Sequence, residues 1–91
     1  MDYKKTASEL LDLVGGKNNV ASVTNCMTRL RFQLKDTSKA DVEKIKKVKG
    51  VQGVVTKNGQ FQIVIGTDVS NVCDEIKKLG SFGETEAADN G

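Results

Sequence analysis

The chain has 91 residues, with 14 basic and 12 acidic side chains, a formal net charge of +2 and a hydrophobic share of 37%. It contains two cysteines and no histidine, proline or tryptophan, which excludes Ser-His-Asp triads, Cys-His nucleophile pairs, HExxH sites and both common zinc-finger ligand sets. The length allows one small domain. No run approaches the ~18 apolar residues of a membrane span, and the N-terminus lacks the apolar stretch of a secretory signal, so a soluble domain of a reducing compartment is expected.

Residues 3–14 predict a helix. Tyr3, Ala7, Leu10, Leu11 and Val14 recur at helical spacing and form one apolar stripe. Asp2 is the expected N-cap and Gly15-Gly16 the stop. Gly15-Gly16-Lys17 lacks the spacing of a phosphate loop and precedes a strand, so it is not read as one. Residues 20–25 and 29–34 predict two strands joined by a turn at Asn25-Cys26-Met27-Thr28. The second alternates, with Leu30, Phe32 and Leu34 on one face and Arg29, Arg31 and Gln33 on the other. Asp36, Thr37 and Ser38 offer caps for a second helix, whose stripe is Val42, Ile45 and Val48, closed by Gly50.

Residues 51–57 and 60–65 predict a second pair of strands. Asn58-Gly59 between them favours a type I′ hairpin turn. A two-residue loop sets Thr56 opposite Phe61 and Val54 opposite Ile63, and places Val54, Phe61, Ile63 and Ile65 on the core face. Residues 69–79 predict a last helix, capped by Thr67 or Asp68, with Val69, Val72, Cys73, Ile76 and Leu79 buried. Residues 80–91 hold three acids and no base and read as a disordered tail or linker after a domain spanning 1–79. The order α-β-β-α-β-β-α implies an α+β sandwich: a four-stranded antiparallel sheet with helices on one face and the other face open.

The chain has only two arginines, Arg29 and Arg31, against twelve lysines. Both lie within five residues of Cys26, in Thr24-Asn25-Cys26-Met27-Thr28-Arg29-Leu30-Arg31, and as i and i+2 on a strand they share a face. A thiolate is the reactive form of a cysteine and is favoured by neighbouring positive charge. Guanidinium forks match phosphate oxygens. The Thr28 hydroxyl and the amides of Met27, Thr28 and Arg29 can add an anion nest. The cluster therefore fits a cysteine that attacks or carries a dianionic group. The competing reading is a small core cysteine beside a solvated strand face. Cys73 lies on the apolar stripe of the last helix and reads as core. Lys39, Lys44, Lys46, Lys47 and Lys49 read as a solvated helix face, or else as a patch for an acidic partner. Residues 1–79 carry 14 bases against nine acids, a mild excess.

The run Val23-Thr24-Asn25-Cys26-Met27-Thr28-Arg29-Leu30-Arg31-Phe32-Gln33-Leu34-Lys35-Asp36 closely resembles the phosphorylation-site signature of enzyme IIB domains of the bacterial phosphoenolpyruvate-dependent sugar phosphotransferase system, in the glucose, sucrose and β-glucoside superfamily. Leu13-Val14-Gly15-Gly16, Gly50-Val51, Gly53-Val54-Val55 and Gly59-Gln60-Phe61-Gln62-Ile63-Val64-Ile65-Gly66-Thr67 extend the likeness over almost the whole folded chain. The resemblance implies that Cys26 takes a phosphoryl group from a phosphohistidine of a IIA partner and passes it to a sugar bound in the membrane IIC domain. It implies that Arg29 and Arg31, with Met27 and Thr28, hold the phosphate, and that no cofactor or metal is needed. It also implies a cytoplasmic position at the inner face of the membrane, within a permease, without direct membrane insertion. Many relatives carry histidine where this chain has Asn25. A IIB unit at the N-terminus resembles the sucrose and β-glucoside branch, with the tail leading toward IIC. Met27 is the expected centre of a transient interface.

Two other classes compete. A thiol phosphatase places cysteine and arginine six positions apart, whereas position 32 is Phe32. A small α/β RNA-binding module needs stacking aromatics, whereas periodicity turns Tyr3, Phe32 and Phe61 toward the core, so no nucleic-acid partner is expected.

Overall fold

A computed structural model describes residues 2–57 and 60–80. Helix α1 spans Tyr3–Leu13 and begins where the Asp2 carboxylate accepts from the Lys5 amide at 3.1 Å. It buries Thr6, Ala7, Leu10 and Leu11. Val14 is its C-cap, one residue earlier than its stripe implies. Gly15 follows at φ 110°, a conformation that a side chain resists. A Cβ there would lie 2.6 Å from Asn19 Nδ2.

After a single 3-10 turn at Lys17–Asn19, strand β1 (Val20–Asn25) and strand β2 (Arg29–Leu34) form a hairpin. A second 3-10 turn, Thr37–Lys39, precedes helix α2 (Val42–Lys46), strands β3 (Gly53–Lys57) and β4 (Gln60–Val64), and helix α3 (Val69–Leu79). The sheet is antiparallel throughout, in the order β1-β2-β4-β3, as an α+β fold of this class requires. Thr56 faces Phe61 and Val54 faces Ile63, the register expected for a two-residue loop. The Asn58-Gly59 turn itself lies outside the described residues, as do residues 81–91 of the acidic stretch.

The core is aliphatic around one aromatic pair. Phe32 and Phe61 are cross-strand partners, and each is at most 1% exposed. Adjacent partners on one sheet face interlock in this way and add stability beyond their burial. Leu30, Ile63, Val23 and Ile65 continue the layer, against Leu10 and Val14 before the first turn and Val69, Val72, Cys73 and Ile76 from α3. Val54 is half-buried and packs on the edge of this cluster.

Several elements depart from the sequence pattern. β1 carries a bulge: Val20 pairs with Leu34, but Ser22 already pairs with Gln33. The extra residue, Ala21, reverses the alternation and lets Val20 and Val23, three apart, both reach the core. Helix α2 is only five residues long, because Asp36 caps the 3-10 turn through Ser38 and Asp41 starts the helix through Lys44. β3 begins at Gly53 and β4 ends at Val64, each shorter than expected. Asp68 is the N-cap of α3 by position but makes no capping hydrogen bond. Its carboxylate instead accepts from the Tyr3 hydroxyl at 3.2 Å, tying the start of α1 to the start of α3. Leu79, expected on the buried stripe, is 38% exposed at the last position of α3. Among the described residues, no helix is long and apolar enough to cross a membrane.

Candidate functional site

The site forms at the β1–β2 corner. The Cys26 amide donates to the Arg29 carbonyl at 2.8 Å, which closes the hairpin and sets the two residues opposite each other. Met27 and Thr28 remain as the loop. The Thr28 carbonyl accepts from both Ile65 and Gly66 amides, at 2.8 and 2.9 Å. This double contact pins the loop to the end of β4. Gly66 adopts φ 114°, a left-handed conformation that favours glycine at this turn. The Asn25 side-chain amide donates to the Cys26 carbonyl at 3.2 Å and so holds the cysteine peptide.

Cys26 is exposed and carries a free thiol. Met27 is 86% exposed. The amides of Met27 and Thr28 meet no acceptor among the described residues, leaving two N–H donors beside the thiol. Arg29 is exposed and donates from Nη1 to Gln62 Oε1 at 3.0 Å. Arg31 is half-buried, lies between Thr24 of β1 and Gln62 of β4, and its Nε is buried without a hydrogen-bond partner. Both guanidiniums stand on the face away from Leu30 and Phe32, which are fully buried. All five residues singled out from sequence (Cys26, Met27, Thr28, Arg29 and Arg31) thus belong to one corner and the strand leaving it. The arrangement sets a free thiol opposite one arginine, with a second arginine two residues along the strand and two free amides in the loop. Such a set can hold a tetrahedral dianion.

Gln62 is the residue that sequence reasoning missed. It is 6% exposed, although it belongs to the open face of the sheet. Its burial follows from its register opposite Arg31, a pairing for which the sequence carries no signal. Cys73 is fully buried in the α3 layer, and no disulfide joins it to Cys26. Lys39, Lys44, Lys46, Lys47 and Lys49 are all exposed. Among them only Lys46 has an ion pair within the described residues, with Glu43 at 3.9 Å. Phe32 is buried in the core, so nothing at that position can serve as a phosphatase arginine. Of the three described aromatics, Phe32 and Phe61 are buried and Tyr3 is half-buried against the core, which leaves no platform for stacking bases.

A four-stranded antiparallel sheet with a thiol corner, a two-residue loop and two arginines on the open face makes up this small α+β domain. Residues 8–41 match the family described as phosphotransferase system, EIIB. A solved domain of the phosphotransferase system IIabc component from Clostridium difficile superposes with a TM-score of 0.81 at 42% identity, covering 86% of this chain and 82% of that one. The β-glucoside-specific EIIBCA component of Halalkalibacterium halodurans is 42% identical over 98% of this chain. The sucrose-specific EIIBC component of Bacillus subtilis is 46% identical over 94% of it. This chain belongs to the EIIB family of the sugar phosphotransferase system. It spans 14% of the first of those curated relatives and 19% of the second.

Proposed function

We propose that this domain is a phosphoryl carrier in which Cys26 accepts a phosphoryl group from a phosphohistidine of a IIA partner and delivers it to a sugar held by a IIC membrane domain. The observation that carries this reading is the closed hairpin: it sets an exposed thiol opposite Arg29, with Arg31 two residues along the same strand. Phosphoryl transfer asks mainly for positioning and for stabilisation of charge on the equatorial oxygens. The Cys26 thiolate attacks phosphorus in line. The S–P bond forms as the P–N bond breaks, and the imidazole leaves with that electron pair. Arg29, Arg31, the Thr28 hydroxyl and the amides of Met27 and Thr28 hold the oxygens. In the second step a sugar hydroxyl attacks, the O–P bond forms, and the thiolate leaves. The proton of that hydroxyl goes to a base outside this domain.

Asn25 cannot serve as an acid or base, so its part is to fix the Cys26 peptide. Residues 1–79 are the IIB unit, with 80–91 as an acidic tail or linker. The unit works in the cytoplasm at the inner face of the membrane. The sugar belongs to the β-glucoside or sucrose class, in keeping with the names of the relatives. Met27, highly exposed and flexible, centres an interface that IIA and IIC must use in turn, which favours brief contacts. The test is incubation with a phosphohistidine-bearing IIA. Wild type takes up one phosphoryl group and Cys26→Ser, still folded, takes up none. Full uptake by the serine variant would overturn the assignment.

A further inference from the structure

The open face of the sheet carries one buried polar side chain that the mechanism above does not use. Gln62 is 6% exposed, although it lies on the sheet face opposite the buried Phe61 and Ile63. Its Oε1 accepts from Arg29 Nη1 at 3.0 Å, and its Nε2 donates to Gln60 Oε1 at 3.1 Å. Gln60 and Gln62 share a face of β4 because they are two apart on a strand.

This chain of bonds can run in only one direction. A guanidinium has donors and no acceptor, so Gln62 must present its oxygen to Arg29. Its nitrogen is then turned toward Gln60, which must present an oxygen in turn. The amide orientation is therefore fixed by Arg29, and the position of Arg29 by the amide. Only one of the five guanidinium N–H groups is used in this contact. Arg31 differs: it lies in register with Gln62, yet its buried Nε meets no partner.

The chemistry of the holder matters as much as its place. A carboxylate at position 62 would grip Arg29 more strongly but would cancel the charge an incoming dianion needs. A neutral amide orients the fork and leaves the charge available. We propose that the Gln60–Gln62 amide pair positions Arg29 for phosphoryl capture at Cys26, with Gln62 as the positioning residue and Gln60 as its brace. The proposal rests on the phosphocysteine reading given above.

The test compares the full chain with Gln62→Met, Gln62→Glu, Gln60→Leu and Arg29→Lys, phosphorylated by phospho-IIA. Two quantities are read: kcat and KM for uptake, and the 31P NMR titration of the phosphocysteine. Gln62→Met keeps the volume and removes the acceptor. It lowers kcat by about tenfold, the scale of one lost oriented hydrogen bond, with KM within about twofold of wild type. Gln60→Leu loses about twofold, since it acts one bond further away. Gln62→Glu keeps the acceptor but neutralises Arg29, so the 31P midpoint of the bound group moves upward. A packing role alone would lower thermal stability and leave kcat of the folded, uncharged Gln62→Met and Gln60→Leu variants unchanged. Wild-type kcat in Gln62→Met, alongside a slowed Arg29→Lys, overturns the positioning role and leaves the phosphocysteine reading standing. Absence of uptake by wild type removes both. If Gln62→Met does not fold, Gln62→Glu decides: an unchanged 31P midpoint overturns the proposal.

Discussion

Replacement of Asn19 by alanine isolates one polar contact that holds the hairpin supporting the site. Asn19 is 4% exposed. Its Nδ2 donates to the Val14 carbonyl at 2.8 Å and the Asp36 carbonyl at 2.9 Å, and its Oδ1 accepts from the Asp36 amide at 3.0 Å. One side chain thus satisfies the end of α1 and the exit of β2. Alanine leaves the Val14 carbonyl and the Asp36 amide without partners, and the Asp36 carbonyl keeps only the Lys39 amide at 3.2 Å. The Val14 bond is buried, and its loss costs about 2 kcal/mol because water cannot replace it. The two Asp36 bonds are part-buried and cost about 0.5 kcal/mol each, since water reaches them. The sum is about 3 kcal/mol, a large share of the ~5–15 kcal/mol that stabilises a typical domain. For a domain of this size it corresponds to a fall in Tm of about 12–24 °C. Urea denaturation followed by circular dichroism measures it, with the m-value checked for constancy. A loss under about 1 kcal/mol at unchanged m would refute the reasoning, because it would mean these groups find partners without Asn19.

Four further outcomes follow from the same geometry. Gly15→Ala forces a side chain into φ 110° and a Cβ to within 2.6 Å of Asn19 Nδ2. It should destabilise by about 2 kcal/mol or more by denaturant titration. Gly53→Ala, whose Cβ meets nothing within 4 Å, should stay within about 0.5 kcal/mol of wild type. The Asp36 carboxylate accepts from the Ser38 hydroxyl at 2.6 Å and the Ser38 amide at 3.0 Å. These bonds, with Lys39 nearby and desolvation opposing, hold its carboxyl below the ordinary 3.8. A depressed folded-state value stabilises the fold above the unfolded value, and this contribution is lost as pH falls through the folded one. Carbon-detected NMR titration should place the Asp36 midpoint low in wild type and higher in Ser38→Ala. Arg31→Lys should slow phosphoryl uptake by about tenfold or more while Tm changes little, because an ammonium cannot reproduce the guanidinium fork. Wild-type uptake by that variant would remove Arg31 from the phosphate-holding set.

The parts legible in the sequence were those governed by short periods. The alternation of Leu30, Phe32 and Leu34 fixed the inward face of β2, and that face is buried. The two-residue spacing at Asn58-Gly59 set the β3–β4 register, which the Thr56–Phe61 and Val54–Ile63 pairs bear out. Both arginines crowd beside Cys26 in the sequence, and that run forms the β1–β2 corner. What stayed hidden depends on contacts across the chain. The β1 bulge serves Val20 and Val23 together, and a single alternating strand has no signal for it. Asn19 looks like a loop residue until Asp36, 17 positions away, closes onto it. Gln62 reads as a solvated position, and it is buried because side chains of β2 lie beside it across the sheet. The Tyr3–Asp68 bond spans 65 positions, so the expected cap became a tie between helices.

The central claim is that Cys26 is the atom-bearing site of phosphoryl transfer. The measurement that tests it most directly is tandem mass spectrometry of the intact chain after incubation with phospho-IIA, kept near neutral pH so that acid-labile phosphoryl bonds survive. The account predicts one added phosphoryl group, located on Cys26, and its loss when a IIC domain with bound sugar is supplied. A phosphoryl group on any other residue, or a Cys26 thiol that stays unmodified, would contradict it.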